Sequence, residues 1–135
     1  MKGTLTQGGT ATDATPQGID QALAGGQFFW LDLDIHDPGP DDDVTGMLIN
    51  TFHFHPVAVE AADKFGQRAR IDDYADFVHI VTFGMAGDGK NVAEVHCFIT
   101  ETSTTTSSAS ATWWTATATS SVEPWIPTFP WCPTG

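Results

Sequence analysis

The chain contains 135 residues, of which 17 are acidic and 5 are Lys or Arg, and its formal net charge is −12. This length fits one domain that can bury its own hydrophobic core, and it is too short for a two-domain enzyme. The scarcity of basic residues excludes a positive surface for nucleic-acid backbones or anionic membranes. Cys97 and Cys132 match neither a disulfide framework nor a zinc motif, and no apolar run could span a membrane, so we expect a reduced, soluble, cytoplasmic protein.

The composition changes sharply near Glu101. Residues 102–135 carry a single charged residue, Glu123, and are rich in Ser, Thr, Trp and Pro. They show neither the alternation of a half-buried strand nor the 3.6-residue period of a helix. We therefore predict a domain over residues 1–101 and a tail over residues 102–135 that is disordered or loosely packed. The tail is explained either by a functional aromatic segment or by a frameshifted gene end.

In chain order, the first predicted elements are a short strand at residues 4–7 and a short helix that starts at Ile19 and ends at Gly25 and Gly26. Residues 28–35 alternate between apolar and polar side chains, which indicates a strand. Its apolar face carries four residues: Phe29, Leu31, Leu33 and Ile35. The opposite face carries Phe28, Trp30, Asp32 and Asp34.

Two helices follow a Pro- and Gly-containing turn. Asp41, Asp42 and Asp43 suit the positive end of a helix dipole, and a helical face then runs through Val44, Met47, Leu48, Thr51 and Phe52. Pro56 suits the first turn of a second helix, which we expect to end at Gly66. His55, partly buried, is expected to cap that helix.

Two strands close the predicted domain. Residues 77–83 are apolar on both faces, as in a strand covered by helices on both sides. Residues 92–99 alternate, and apolarity predicts that Ala93, Val95, Cys97 and Ile99 face inward while Glu94 and His96 face outward. The order of elements predicts an α/β fold in which helices pack on a sheet.

Candidate sites are few. The acidic run from Asp32 to Asp43 has Asp37 where a calcium loop needs Gly and Asp43 where it needs Glu, so helix-stabilising acids on a solvated loop are favoured. Signatures of nucleophilic, phosphate-binding and metalloprotease sites are missing, which predicts that the chain is not an enzyme. Glu60 and Asp63, at i and i+3, present an acidic edge to a cation or simply face water.

The histidines have ordinary structural interpretations. His53 and His55 would share a face only in a strand, so a helix-capping His55 is favoured over a zinc pair. His79 is expected to be a hydrogen-bonded core residue, and His96 is expected on the surface. A metal-dependent enzyme that uses His53, His55 and Glu60 remains a weaker alternative.

Four segments carry a resemblance to a known family: Trp30-Leu31-Asp32-Leu33, Phe54-His55-Pro56-Val57-Ala58-Val59-Glu60-Ala61-Ala62, Gln67-Arg68-Ala69-Arg70-Ile71-Asp72-Asp73-Tyr74 and Phe77-Val78-His79-Ile80-Val81. In order and spacing they are similar to the cytosolic domain of the CorA magnesium transporters, over about residues 28–99. The family's pattern is a Trp-x-Asp strand, a helix, a helix that begins His-Pro, a Gln-x-Pro-Lys hinge and a Tyr-containing strand.

The resemblance implies a three-layer α/β/α sandwich around a mixed sheet, incomplete here at its C-terminus. We expect Trp30, Val78 and Val95 to share that sheet. It also implies a homopentamer in which weakly bound Mg²⁺ bridges carboxylates of neighbouring cytosolic domains and senses the internal ion concentration. Ala61 stands where the family has an acidic residue, so the implied metal ligands are Glu60 and Asp63.

The family continues into a stalk helix, two membrane helices and a Gly-Met-Asn pore signature, none of which follows Glu101. The resemblance therefore implies an ion-sensing domain of a magnesium and cobalt transporter, truncated before the pore and unable to transport alone. Attachment to a membrane would come only through the missing C-terminal region. The alternative is a stand-alone interaction domain that binds a partner through its sheet edge or its tryptophan tail.

Overall fold

A computed structural model describes residues 1–35, 39–64, 66–85 and 89–101, and the backbone of residues 111–116. The helices are α1 (Pro16–Gly25), α2 (Val44–Asn50) and α3 (Pro56–Asp63). The strands are β1 (Gly3–Gln7), β2 (Thr10–Asp13), β3 (Phe29–Leu33), β4 (Arg70–Asp73), β5 (Phe77–Met85), β6 (Val92–Glu101) and β7 (Ala111–Ala116). The α/β class predicted from the sequence is confirmed.

The first sheet has the strand order β2-β1-β3, with both pairs antiparallel. Gly8 and Gly9 join β1 to β2 with φ angles of 58° and 81°. A two-residue hairpin turn of this kind needs positive φ at both positions, which glycine adopts without a steric penalty. Strand β2 was not predicted, although a Gly-Gly pair between two short Thr-rich runs is a hairpin signal.

The second sheet has the order β4-β5-β6-β7, and all of its pairs are antiparallel as well. The prediction of a mixed sheet is therefore wrong for the described strands. Trp30 lies in the first sheet while Val78 and Val95 lie in the second, so the expected common sheet is not seen either. The two sheets meet where β3 lies beside β7. Short connections allow the antiparallel pairing of β1 with β2 and of β4 with β5, since parallel neighbours need a long crossover.

Part of the predicted tail belongs to this second sheet. Residues 111–116, which we assigned to a loosely packed segment, form β7 along β6 with Thr112 opposite Thr100. The other tail residues lie outside the described part of the chain, as do residues 36–38 of the predicted turn. The domain boundary at Glu101 stays a prediction.

The starts of α2 and α3 and the end of α1 lie where the sequence indicates, whereas α1 starts at Pro16 instead of Ile19 and α3 ends at Asp63, before the predicted Gly66. Asp43 caps α2 by accepting a hydrogen bond from the Gly46 amide at 2.7 Å. His55 caps α3 through its Nδ1 atom, which accepts from the Val57 amide at 3.2 Å, so the predicted cap is confirmed although the side chain is exposed rather than partly buried. Gly26 ends α1 with a φ of 62°, in the left-handed region that favours glycine.

One hydrophobic core lies between the helices and the inner faces of the sheets. Phe29, Leu31 and Leu33 of β3 are fully buried, as their alternation predicts. Phe54, just before α3, stacks on Phe98 of β6 with ring centroids 4.7 Å apart. Among the described residues, this core contains sixteen buried side chains from both sheets and the helices. The contact between Phe54 and Phe98 packs the start of α3 against the second sheet.

Candidate functional site

The predicted metal ligands, Glu60 and Asp63, lie on the exposed side of α3. The Glu60 carboxylate forms an ion pair with Lys64 one turn later, and the side chains are 59% and 66% exposed. The Lys64 ammonium lowers the pKa of Glu60, and Glu60 raises the pKa of Lys64. A cation at Glu60 would have to compete with Lys64 in water, where such pairs are weak. The metal role of both residues stays a prediction.

Other acidic residues are engaged by the protein's own donors. Asp42 pairs with the N-terminal amine of Met1 at 2.5 Å and accepts from the Gly39 amide, and the amine lowers the pKa of Asp42. Asp34 pairs with Lys2 at 3.0 Å. Within the described ranges, no group of three or more His, Cys, Asp or Glu residues could hold a metal ion. Asp37 of the rejected calcium loop falls outside those ranges.

His53, His55 and Glu60, the residues of the enzyme alternative, are all exposed. His53 lies on the exposed connection between α2 and α3, where its φ is 59°. The Nδ1 atom of His55 is used in the helix cap, and its ring stacks on Tyr74 with centroids 5.6 Å apart. An open groove of about 750 Å³ runs past His53, Tyr74 and the end of β6. The enzyme alternative that rests on these three residues is not tested by this geometry.

The inner face of the second sheet holds a buried polar cluster that the sequence analysis did not predict. We call His79, His96 and Glu94 the polar triad. Their exposed fractions are 0%, 0% and 3%. His79 Nε2 lies 3.0 Å from His96 Nδ1, and His96 Nε2 lies 2.8 Å from a Glu94 carboxylate oxygen. The prediction that Glu94 and His96 face outward is wrong.

The polar triad connects to the chain that leaves α3. Glu94 Oε2 accepts hydrogen bonds from the Gly66 amide at 2.9 Å and from the Gln67 amide at 3.2 Å. Gly66 adopts a φ of 87°, which lets the chain turn so that both amides point at one carboxylate. These bonds hold the connection between α3 and β4 against β6.

His79 stands at the other end of the triad. Its Nδ1 atom is buried and has no hydrogen-bond partner among the described residues. Asp72 Oδ2 is 3.7 Å away, beyond hydrogen-bond distance, and is bonded to Arg70 Nε at 2.6 Å. Burial, reinforced by His96, lowers the pKa of His79 to about 4 despite the opposing effect of Asp72. The prediction of a buried His79 is confirmed, but the ring is satisfied on one side only.

The buried face of β6 was predicted wrongly because the face with more apolar residues was assumed to point inward. Of the residues predicted to face inward, Ala93 is buried, but the larger Val95, Cys97 and Ile99 are only half-buried. Phe98 on the other face is fully buried. The large ring of Phe98 stacks on Phe54 and decides which face packs on the core. Because side chains alternate along a strand, Glu94 and His96 enter the core with Phe98. Phe98 lies on the same face of the strand as Glu94 and His96, and its large apolar side chain was the feature of the sequence that could have identified the buried face.

Comparison with known proteins relates part of this chain to a curated protein. No protein-family model matches the chain. A Bacillus subtilis (strain 168) protein named "Putative metal ion transporter YfjQ" is 31% identical over 71 residues, which is 53% of this chain. The chain covers 21% of that protein's length. No helix among the described residues is long and apolar enough to cross a membrane. The match relates this chain to a protein whose name indicates metal-ion transport.

Proposed function

We propose that this chain is the cytosolic, ion-sensing regulatory domain of a CorA-like magnesium and cobalt transporter. The observation that carries the proposal is the 31% identity over 71 residues to a protein named as a metal ion transporter. The α/β class and the two helices after the Trp-Leu-Asp-Leu strand support it. The proposal also implies a three-layer α/β/α sandwich as the fold of this domain.

Charge repulsion would provide the sensing mechanism. Two carboxylates 4 Å apart repel by about 1 kcal/mol in water and by about 4 kcal/mol at an effective dielectric constant of 20. Between copies of a chain with a net charge of −12, such contacts disfavour association, and a divalent cation reverses their sign. Oxygen ligands from Glu60 and Asp63, completed by water, suit weakly bound Mg²⁺. Binding would require Lys64 to leave Glu60.

Thermal unfolding with and without Mg²⁺ tests this function. At ten times its Kd, a bound ion adds about 1.4 kcal/mol, which raises the Tm of a domain of this size by roughly 5 °C. We expect that rise at tens of millimolar Mg²⁺ or below, and not with Na⁺ at matched ionic strength. The double variant Glu60→Gln/Asp63→Asn should lose it.

The control is Asp20→Asn, which removes an exposed carboxylate from α1 and should leave the Mg²⁺ response unchanged. An equal response to Na⁺, or an undiminished response in the double variant, would contradict the assigned ligands. No response at all would favour the alternative, an interaction domain. That alternative is favoured by exposed apolar side chains on the second sheet, where Ile71 and Met85 are 71% and 64% exposed.

A further inference from the structure

Glu94 places an acidic side chain in the core, where it is 3% exposed. Its carboxylate accepts hydrogen bonds from the Gly66 amide at 2.9 Å and from the Gln67 amide at 3.2 Å, and it lies 2.8 Å from His96 Nε2. The two amides are neutral donors. A buried carboxylate is costly unless an opposite charge accompanies it. An ionised Glu94 therefore needs a positive charge close by.

Lysine and arginine side chains do not supply this charge. Three of them already pair with acids outside the polar triad. All five are exposed, namely Lys2, Lys64, Arg68, Arg70 and Lys90. His96, by contrast, is fully buried. Among the described residues, it is the side chain within hydrogen-bond distance of Glu94 that can become a cation.

The arrangement of the two rings indicates how many protons they hold. His96 Nε2 faces Glu94, and His96 Nδ1 lies 3.0 Å from His79 Nε2. At the far end, His79 Nδ1 is buried and faces the Asp72 carboxylate at 3.7 Å. Both ends of the histidine pair thus face carboxylates, which only accept hydrogen bonds. An N–H group at each end and one between the rings require three ring protons, whereas two neutral imidazoles carry two.

We propose that the polar triad binds this third proton at neutral pH, so that the His96 imidazolium and the Glu94 carboxylate form a buried ion pair. His96 then donates through Nε2 to Glu94 and through Nδ1 to His79 Nε2. His79 stays neutral with its own proton on Nδ1, where an N–H group rather than a lone pair faces Asp72. The ion pair and the two amide hydrogen bonds together hold the chain after α3 to β6. This site binds a proton and goes beyond the proposed sensing of metal ions.

The charges around the rings agree with a single added proton. Burial, followed by the charge on His96, lowers the pKa of His79 to about 4, although Asp72 of β4 raises it. Arg70, also on β4, lowers it further. A second added proton is therefore excluded at neutral pH. On the other side of β6, strand β7 contains no charged residue, so Glu94 is the charged group that faces His96.

The bound proton should make alkaline pH destabilising. In the unfolded chain a histidine loses its proton near pH 6.5, whereas in the folded chain the ion pair retains it to higher pH. Above pH 7 the folded state then binds more protons than the unfolded state, so stability falls as pH rises. From this proton alone, the unfolding equilibrium constant should increase about eightfold from pH 7 to pH 8.

Nitrogen-15 NMR of the histidine rings, measured on the full chain at pH 8, tests the proton directly. We expect both ring nitrogens of His96 to carry a proton, with His79 neutral and protonated on Nδ1. The control is the same chain unfolded in urea at pH 8, in which all histidines should be neutral. A His96 ring with a single proton at pH 8, or a His79 ring protonated on Nε2, would overturn the proposal.

Two variants separate the ion pair from the other titrating groups. Glu94→Gln keeps an oxygen acceptor for the two amides but removes the charge, so His96 should be neutral at pH 8. Relative to this variant, the unfolding equilibrium constant of the parent chain should increase about eightfold from pH 7 to pH 8, as measured by urea denaturation. Glu101→Gln, which removes an exposed carboxylate from the end of the same strand, should behave as the parent chain.

Parallel pH curves for the parent and Glu94→Gln would contradict the ion pair, as would a His96 imidazolium that persists in Glu94→Gln. If Glu94→Gln does not fold, the NMR spectra of the parent chain decide alone, because they report the ring protons without any substitution.

Discussion

The inner faces of the two sheets occupy the same place in the fold but differ in chemistry. The first sheet buries only apolar side chains, among them Leu5, Phe29, Leu31 and Leu33. The second buries Phe77, Val81 and Phe98 together with the polar triad. Apolar burial is non-directional and roughly proportional to area, whereas a buried polar group is costly unless its hydrogen bonds are made. The first face therefore contributes to the free energy of unfolding independently of pH, whereas the contribution of the second face depends on the protonation of its buried histidines.

The largest expected effect is on the apolar face. Leu31→Ala removes a fully buried side chain from the centre of β3 and should lower the free energy of unfolding by about 2–5 kcal/mol. Urea denaturation measures this loss, and the loss should be the same at pH 7 and pH 5 because no titrating group is removed. If Leu31→Ala lowered the free energy of unfolding by less than about 1 kcal/mol, or only at acidic pH, the proposed difference between the two faces would be contradicted.

A somewhat smaller effect should come from the polar face, and it should depend on pH. The folded pKa of His79 is lowered to about 4 from an ordinary value of 6.5, so below pH 6.5 the unfolded chain binds the extra proton first. The contribution of His79 to stability is full above that range and decreases as pH falls, by up to about 3 kcal/mol near pH 4.

The measurement is the free energy of unfolding between pH 7 and pH 4 for the parent and for His79→Gln. Subtracting the two curves removes the contributions of other acids. The difference should change only in the window between 6.5 and 4, and His53→Gln should give no such difference. Superimposable pH curves for the parent and His79→Gln would show that the buried ring does not control acid stability.

The smallest effect is expected on the outer face of the second sheet. Ile71 pairs with Ile80 across β4 and β5 but is 71% exposed, so Ile71→Thr should change the free energy of unfolding by less than about 0.5 kcal/mol. Thermal unfolding at low protein concentration measures this. A loss of more than about 1 kcal/mol would mean that another molecule covers this face in solution.

Sequence periodicity predicted the elements that bury one clear face. Strand β3 and helix α2 follow from the spacing of Leu31, Leu33, Val44 and Leu48, all of which are buried. Local chemistry predicted the Asp43 and His55 caps, because a cap depends on groups two or three residues away. Strands β2 and β4 were missed, since neither has a buried hydrophobic residue to mark it.

The candidate site was less predictable than the fold. Glu60 and Asp63 share a helix face, as their spacing requires, but the ion pair of Glu60 with Lys64 was not anticipated. The polar triad was missed because Val95, Cys97 and Ile99 made the wrong face of β6 look like the core side. The number of apolar residues on each face of a strand does not show which face the rest of the protein will cover, because that depends on which distant elements pack against the strand.

The sequence alone determined the α/β class, the apolar side of β3, the starts of α2 and α3, and the strong negative charge, because these depend on composition and on neighbours within a few residues. Only the tertiary structure decided the side of β6 that is buried, since that depends on Phe54 and Phe98 meeting across 44 positions of chain. Their contact brings Glu94 and His96 inside, next to His79 and the amides after α3. Long-range packing thus brings three polar residues, which nothing in the local sequence marks, into one buried hydrogen-bonded cluster.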